Sequence, residues 1–225
     1  MLVERFLSEG KILAYLSSHP RVVRVHEGGK DPRIGLFVVM EKLEGKSLRA
    51  VLGEILQRGE HMHPQVALYI AIQIAQALHE IHEVAIIHRD LKPENIMIRR
   101  GIRGVHAKVL DFGIARLMDA GTKLTVAGAI AGTPRYMSPE QVEGKDVDAR
   151  ADVYSLGIVL YEALTGRQPF DGTTISEILR KQVVEPLPSL RLHAPELDYP
   201  DIDAVLQRAC LKKSEGRWPD MLAFA

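Results

Sequence analysis

The 225-residue sequence predicts an α+β fold in which a helix and a small antiparallel sheet precede a mainly helical region. The first part of the chain combines one helical period with two short apolar runs. Most of the later apolar residues recur at the spacing of an amphipathic helix. The length and the 46% apolar content suffice to bury a sizeable core. We therefore expect a small α/β lobe followed by an α-rich lobe.

The small lobe begins with a predicted helix over residues 3–16, whose apolar residues lie at helical spacing and which a Ser-Ser-His-Pro sequence terminates. Two apolar runs follow, Val22–Val25 and Leu36–Met40. The stretch His26–Gly35 between them is rich in turn residues. This pattern predicts an antiparallel pair of strands.

A second helix is predicted over residues 64–83, because apolar residues again share one face and Pro64 suits a first helical turn. A second hairpin is predicted from Ile96–Ile98 and Lys108–Leu110, which flank a turn rich in Gly and Arg. The face of the helix is predicted to carry Val66, Ile70, Ile74, Leu78 and Ile81.

The α-rich lobe continues beyond a long loop that we predict over residues 114–145, where no period is sustained. Val153–Leu164 is apolar nearly all round, which predicts a helix buried inside a helical domain. Ile175–Val184 and Ile202–Leu211 are predicted as further amphipathic helices, joined by a loop that contains four prolines.

Composition excludes several classes of protein. The 29 basic and 29 acidic residues balance to a formal charge of zero, which argues against a surface that neutralises nucleic-acid phosphates. A single cysteine, Cys210, excludes an internal disulfide framework and fits a reducing compartment. We find no segment that reads as a signal peptide or a membrane span. We therefore expect a cytoplasmic chain without a nucleic-acid partner.

Three short segments carry the chemistry: HRDLKPEN at residues 88–95, DFG at 111–113, and GTPRYMSPE at 132–140. In these segments the sequence resembles the Hanks-type serine/threonine protein kinases. The motif sequences are similar to those of bacterial members. The likeness runs from Glu9 to Arg217. The resemblance implies a protein-kinase-like α+β fold and transfer of the ATP γ-phosphate to serine or threonine hydroxyls of protein substrates.

The resemblance assigns four residues to phosphoryl transfer, which needs positioning and charge neutralisation more than covalent chemistry. Asp90 matches the catalytic base, and Lys92 matches the cation on the moving phosphate. Asn95 and Asp111 match the oxygen ligands of Mg²⁺. Taken singly, these residues also fit structural roles, since Asp90 could cap a turn and Asn95 could form an Asx turn.

Other positions match the nucleotide-binding parts of the family. Glu9 matches the helix glutamate that pairs with a strand lysine, although an exposed helix glutamate is the alternative. Met40 would guard the adenine pocket, while the Glu41 carbonyl and the Leu43 amide would bind the base. Met97 would lie beneath the purine, or serve as an ordinary core methionine.

The resemblance also implies regulation and specificity. In the family, a lysine at the position of Lys92 accompanies serine/threonine substrates, and Thr133 would shape the pocket beside it. Arg89 suggests control by phosphorylation of the loop, for which Thr125 and Thr122 are candidate sites. Self-phosphorylation and dimerisation are further expectations.

Scaffold roles are implied for three more residues. The family pairs a glutamate at the position of Glu140 with an arginine at that of Arg217. Asp152 would hold the backbone around His88 and Arg89. We expect His88 to belong to the core and to transfer no proton.

The resemblance is incomplete at the beginning of the chain. We find no glycine-rich G-x-G-x-x-G loop and no V-A-I-K lysine, so residues 1–43 are expected to be a remnant of the small lobe with the hinge. Residues 44–225 are expected to form the large lobe. Two hypotheses follow: a serine/threonine kinase, or a catalytically inactive kinase-like binding module.

Overall fold

The computed structural model describes residues 19–33, 35–102, 104–110 and 134–225. The predicted first helix, residues 3–16, lies outside this part of the chain. The described chain begins with an antiparallel hairpin of β1 (Val25–Asp31) and β2 (Gly35–Met40), in which Val25 pairs with Met40 and Asp31 with Gly35. The hairpin confirms the predicted antiparallel pair.

The position of the first strand was predicted wrongly. β1 runs through the stretch that we predicted as a turn, and the turn is instead the short connection after Asp31. Val22 and Val23 precede the strand and are both buried. Val22 forms a parallel bridge with Val109 and belongs to the core cluster, so its burial comes from contact with the large lobe. The valines at 22 and 23 thus belong to a segment that precedes β1 and packs on the large lobe, and they are not part of the first strand.

A helix that we did not predict follows the link after β2 (residues 41–45). The two-residue strand β3 (Lys46–Ser47) leads into α1 (Leu48–Gln57), and the Ser47 hydroxyl accepts a hydrogen bond from the Ala50 amide at 3.2 Å. This is an N-cap contact. The apolar spacing in LRAVLGEILQ was available as a signal.

The predicted 64–83 helix is confirmed as α2 (Pro64–Glu83), with His63 as its N-cap. Four of its five predicted face residues are buried, but Val66 remains 37% exposed. β4 (Ile96–Gly101) and β5 (Gly104–Val109) form the second predicted hairpin, and β3 pairs with the outer edge of β4. The buried Gln73 amide joins α2 to β5 by accepting from the Ala107 amide at 3.2 Å.

The described end of the predicted 114–145 loop contains short helical elements. A 3-10 turn spans Pro134–Tyr136, and α3 (Pro139–Val142) follows it. α4 (Arg150–Thr165) confirms the predicted buried helix, because every residue from 151 to 165 is buried. α4 therefore forms the centre of the large lobe, packed against α2.

The remaining helices surround α4. α5 (Ile175–Val184) agrees with the prediction, whereas α7 (Pro200–Ala209) begins and ends two residues earlier than predicted. Pro200 starts α7, since a proline is tolerated in the first helical turn. The short helices α6 (Leu190–His193) and α8 (Met221–Phe224) complete the described fold.

Candidate active site

The HRDLKPEN segment forms a loop between α2 and β4 that ends in a 3-10 turn over Pro93–Asn95. The Asn95 amide donates to the Lys92 carbonyl at 2.9 Å, which closes the turn. The Leu110 amide donates to the Asn95 carbonyl at 2.8 Å. Leu110, which follows β5 and immediately precedes Asp111 in the sequence, is therefore bound to the loop.

Three of the predicted catalytic side chains contact one another in this loop. Lys92 Nζ donates to Asp90 Oδ2 at 2.7 Å, and Asn95 Nδ2 donates to the Asp90 carbonyl at 2.9 Å and to Oδ2 at 3.3 Å. The side chains of Asp90 and Lys92 remain 25% and 16% exposed, so a ligand can reach them. A carboxylate, an ammonium group and an amide thus share one small volume.

The chemistry of these groups fits a hard divalent cation and a phosphate. The NH₂ group of Asn95 faces Asp90, which leaves its amide oxygen on the opposite branch. Carboxylate and amide oxygens are the ligands that Mg²⁺ prefers. The ammonium group of Lys92 is a point charge suited to phosphate oxygens.

The buried carboxylate of Asp152 holds the backbone of the loop from below. It accepts hydrogen bonds from the amides of His88 at 2.8 Å and Arg89 at 2.9 Å, and from His82 Nε2 at 2.8 Å. Burial alone would raise the pKa of Asp152, but the hydrogen bond and charge of His82, with His88, hold it below its ordinary value. The expected scaffold role of Asp152 is confirmed.

Arg89 has a left-handed backbone, with φ of 64°. Such a conformation is unfavourable for a residue other than glycine. The Asp152 contact to its amide and a 2.7 Å hydrogen bond from Gln141 Nε2 to its carbonyl hold it in place. Two helices, α4 and α3, therefore fix the backbone immediately before Asp90.

His88 is fully buried and contributes to this support. Its Nε2 lies 2.7 Å from the Leu110 carbonyl, which can only accept, so Nε2 donates and Nδ1 accepts from the Asp90 amide at 3.3 Å. Both ring nitrogens are thus engaged in hydrogen bonds. This arrangement agrees with the expected core role of His88.

The expected pair of Glu140 and Arg217 is present and buried. The two side chains form a bidentate contact with both distances at 2.7 Å. Burial alone would raise the pKa of Glu140, but the hydrogen bond and charge of Arg217 hold it below its ordinary value. This pair joins α3 to the segment before α8.

Arg49, in the first turn of α1, was missed by the sequence reasoning. Its guanidinium donates to Glu94 Oε1 and to Glu162 Oε1, each at 2.7 Å, and to the Tyr136 hydroxyl. Tyr136 in turn donates to Glu162 Oε2 at 2.5 Å. Arg49 therefore connects α1, the loop and α4. An arginine in an amphipathic helix gives little sequence signal, since exposed arginines are common there.

A cleft of about 1290 Å³ lies between the link after β2 and the β4–β5 hairpin. Among the predicted nucleotide-binding residues, Glu41, Leu43 and Met97 line it. Met40 ends β2, is 38% exposed, and is not among the described residues that line the cleft. The structure thus brings three of these four residues together.

Several predicted site residues lie outside the described part of the chain. They are Glu9, Asp111, Thr122, Thr125 and Thr133. Among the described residues, no helix combines the length and apolar character required to cross a bilayer.

Comparison with known proteins gives the family. The protein kinase domain model matches residues 2–215. The chain is 42% identical over 219 residues to the serine/threonine-protein kinase PknB of Mycolicibacterium smegmatis, covering 95% of this chain and 33% of PknB. A probable serine/threonine-protein kinase of Streptomyces coelicolor is 39% identical over 218 residues, which cover 95% of this chain and 31% of that protein. The chain spans about a third of the length of these relatives.

A solved structure confirms the predicted fold class. The crystal structure of the Mycobacterium tuberculosis PknI kinase domain superposes with a TM-score of 0.76 and 26% identity, covering 98% of this chain and 75% of the PknI chain. The fold, the loop geometry and the family model agree. The chain belongs to the protein kinase domain family, among bacterial kinases of the Hanks type.

Proposed function

We propose that this chain is a serine/threonine protein kinase domain that transfers the ATP γ-phosphate to hydroxyl groups of protein substrates. The observation that carries the proposal is the mutual contact of Asp90, Lys92 and Asn95 on a loop that buried groups hold in shape. Phosphoryl transfer needs this kind of positioned charge.

Each group has a distinct role in the proposed reaction. Asp90 orients the substrate hydroxyl and accepts its proton, and its partial exposure leaves room for that hydroxyl. Lys92 places positive charge where the transferred phosphate passes. Asn95 and Asp111 would hold Mg²⁺, which when bound neutralises phosphate charge. The hydrogen bond from the Leu110 amide to the Asn95 carbonyl supports this pairing, because Leu110 immediately precedes Asp111 in the sequence.

The cleft between the link and the hairpin supports the proposed nucleotide site. Backbone groups of Glu41 and Leu43 would bind the adenine above Met97. Met40, at the end of β2, would guard the adenine pocket. In this proposal, residues 1–43 belong to the small lobe and hinge, and residues 44–225 to the large lobe. Glu9 would orient the nucleotide from the small lobe.

The proposal also covers regulation by phosphorylation, the choice of substrate and the cellular compartment. Arg89 would bind a phosphate on Thr122 or Thr125, and Thr133 would contact the site near the phosphoacceptor. The lysine at position 92 favours serine and threonine substrates, with self-phosphorylation and dimerisation as further modes. A formal charge of zero and a single buried cysteine support a cytoplasmic domain that acts on proteins.

The contacts favour an enzyme over an inactive kinase-like binding module. A binding module has no physical need for a carboxylate, an ammonium group and an amide held against one another. The two hypotheses differ in one measurable respect: the module would bind Mg²⁺ and ATP without transferring phosphate.

The test is transfer of labelled phosphate from ATP to a generic protein in the presence of Mg²⁺. Asp90→Asn should lower the rate about 10²- to 10⁴-fold, the range for loss of a positioned base. Asp201→Asn, at an exposed position in the first turn of α7, is the matched control and should retain the parent rate. Equal rates for Asp90→Asn and the parent would contradict the proposal.

A further inference from the structure

The carboxylate of Glu41, at the start of the link after β2, is held from two sides. Its Oε1 accepts from the Arg24 amide at 2.8 Å and from Lys108 Nζ at 2.5 Å. The Glu41 amide also donates to the Arg24 carbonyl at 2.9 Å. Both the backbone and the side chain of Glu41 are therefore anchored.

Lys108 reaches this carboxylate from the large lobe. It lies on β5 directly opposite Met97 on β4, so the two side chains share one face of the hairpin. Both residues line the cleft together with Glu41 and Leu43. The ammonium group therefore lies on the same face as the proposed apolar surface beneath the purine.

The segment that contains Arg24, the second partner of the Glu41 carboxylate, is itself hydrogen-bonded to β5. The Val23 amide donates to the Val109 carbonyl at 3.0 Å, and the Val109 amide donates to the Arg21 carbonyl at 2.9 Å. Residues 21–24 are thus bonded to β5 at one end and to Glu41 at the other. Lys108 closes this arrangement by a direct contact between β5 and Glu41.

The contact is partly exposed, with 29% of the Lys108 side chain and 28% of the Glu41 side chain accessible. Burial alone would raise the pKa of Glu41, but the hydrogen bonds from Lys108 and Arg24 hold it below its ordinary value. Glu41 is therefore charged near neutral pH. An exposed ion pair adds little to global stability, so its effect should be local.

We propose that Lys108 is a positioning residue for recognition of the nucleotide base. By holding the Glu41 carboxylate, Lys108 fixes the backbone from Glu41 to Leu43, whose carbonyl and amide would bind adenine. This inference rests on the proposed function. In this inference Lys108 affects binding of the base, whereas the loop at residues 88–95 binds the phosphates.

The test compares binding of ATP with binding of tripolyphosphate, which lacks the base, both with Mg²⁺. Lys108→Met should raise the Kd for ATP about three- to tenfold, the size expected for one charge-assisted hydrogen bond. The Kd for tripolyphosphate should stay within about twofold, since that ligand has no base to place. Lys108→Arg should restore the ATP affinity.

The matched control is Lys181→Met. Lys181 pairs with Glu177 at 3.4 Å on α5 and has similar exposure, but it does not line the cleft. Amide hydrogen exchange over residues 41–44 of the nucleotide-free chain should accelerate in Lys108→Met and remain unchanged in Lys181→Met.

The outcomes separate the two proposals. Unchanged ATP affinity and unchanged exchange in Lys108→Met would overturn the positioning role while leaving the proposed function intact. Equal weakening of ATP and tripolyphosphate would also overturn it, because the effect would not be confined to the base. A parent chain that binds neither ligand would contradict the proposed nucleotide site, and the role of Lys108 would fail with it.

Discussion

The reactive loop (residues 88–95) and the groups that support it, here called the frame (Glu140, Asp152, Lys212 and Arg217), both contain charged side chains. The two regions differ in how far those side chains are exposed to water. Asp90 and Lys92 pair while remaining partly exposed. Asp152 and Arg217 are buried, and each is surrounded by hydrogen-bonding partners. A charge that must meet a ligand is left accessible, whereas a charge that must hold the chain is withdrawn from water and fully paired.

Arg217 shows how complete this pairing is. Its five N–H groups donate to both Glu140 oxygens and to the carbonyls of Leu211, Arg150 and Lys212. An arginine has five such donors in total, so none remains unsatisfied. Substitutions in the frame should therefore affect stability, and substitutions in the loop should affect activity.

The largest expected loss of stability is at Arg217. Arg217→Met should lower the free energy of unfolding by about 3–5 kcal/mol, because it leaves Glu140 buried without its partner. Urea unfolding measures the change. Arg180→Met, which breaks the exposed pair with Glu185 at 2.9 Å, should change it by less than about 0.5 kcal/mol. Comparable losses in the two variants would refute the distinction between buried and exposed pairs.

Asp152→Asn should cost less, about 2–3 kcal/mol, since one accepting oxygen is replaced by a donor that faces an N–H group. The pKa of Asp152 is lowered by folding, so its contribution is present above its ordinary pKa of 3.8 and is lost as the pH falls through the lower folded value.

Urea unfolding from pH 7 to pH 3 checks this prediction. The difference between the parent and Asp152→Asn should narrow as the pH falls below about 4. A difference that stays constant with pH would show that Asp152 stabilises the fold without its charge.

Lys212 is a frame cation whose described contacts are mainly neutral: Nζ donates to the Gln182 carbonyl at 2.9 Å and the Tyr154 hydroxyl at 3.1 Å. Burial lowers the pKa of Lys212 from 10.5 to about 8. Between these pH values the unfolded chain binds more protons, so stability from Lys212 rises with pH. Cys210 acts in the opposite direction, because burial raises its pKa from 9.0 to about 12.

Comparison with Lys212→Met isolates the lysine. The stability of the parent relative to Lys212→Met should improve by about 2 kcal/mol between pH 7.5 and pH 10.5, where the charge is removed. Denaturant unfolding at several pH values measures it. A difference that is independent of pH would mean that the ammonium group carries no penalty from burial.

The smallest stability effect is expected in the reactive loop. Lys92→Met should change the free energy of unfolding by less than about 0.5 kcal/mol, because the Lys92–Asp90 pair is accessible to water. Phosphate transfer should nevertheless fall sharply. Thermal unfolding and the transfer assay on the same preparation check both statements, and a large loss of stability would place Lys92 in the frame instead.

The sequence predicted best those elements whose local pattern and tertiary role agree. The helix at 64–83 carries a period, a proline start and a buried face, and α4 is apolar all round because it is surrounded. Short motifs identified Asp90, Lys92 and Asn95, and the structure places them in contact. Their roles in catalysis remain predictions that the transfer assay decides.

Long-range contacts explain what the sequence did not reveal. Val22 is buried by contact with the large lobe, so a local pattern placed it in the wrong element. Arg49 gains its importance from Glu162, which is far away in sequence. The Lys108–Glu41 contact likewise joins two segments that no local pattern relates.

The left-handed backbone of Arg89 has a consequence for the order in which the domain assembles. Such a conformation costs of order 1–3 kcal/mol outside glycine and persists only when its surroundings impose it. Here the restraints come from α3 and α4, which lie more than fifty residues further along the chain. A nascent or proteolysed chain that ends before Gln141 lacks both restraints. Such a chain should therefore contain all the catalytic residues of the loop without adopting the loop conformation that positions them.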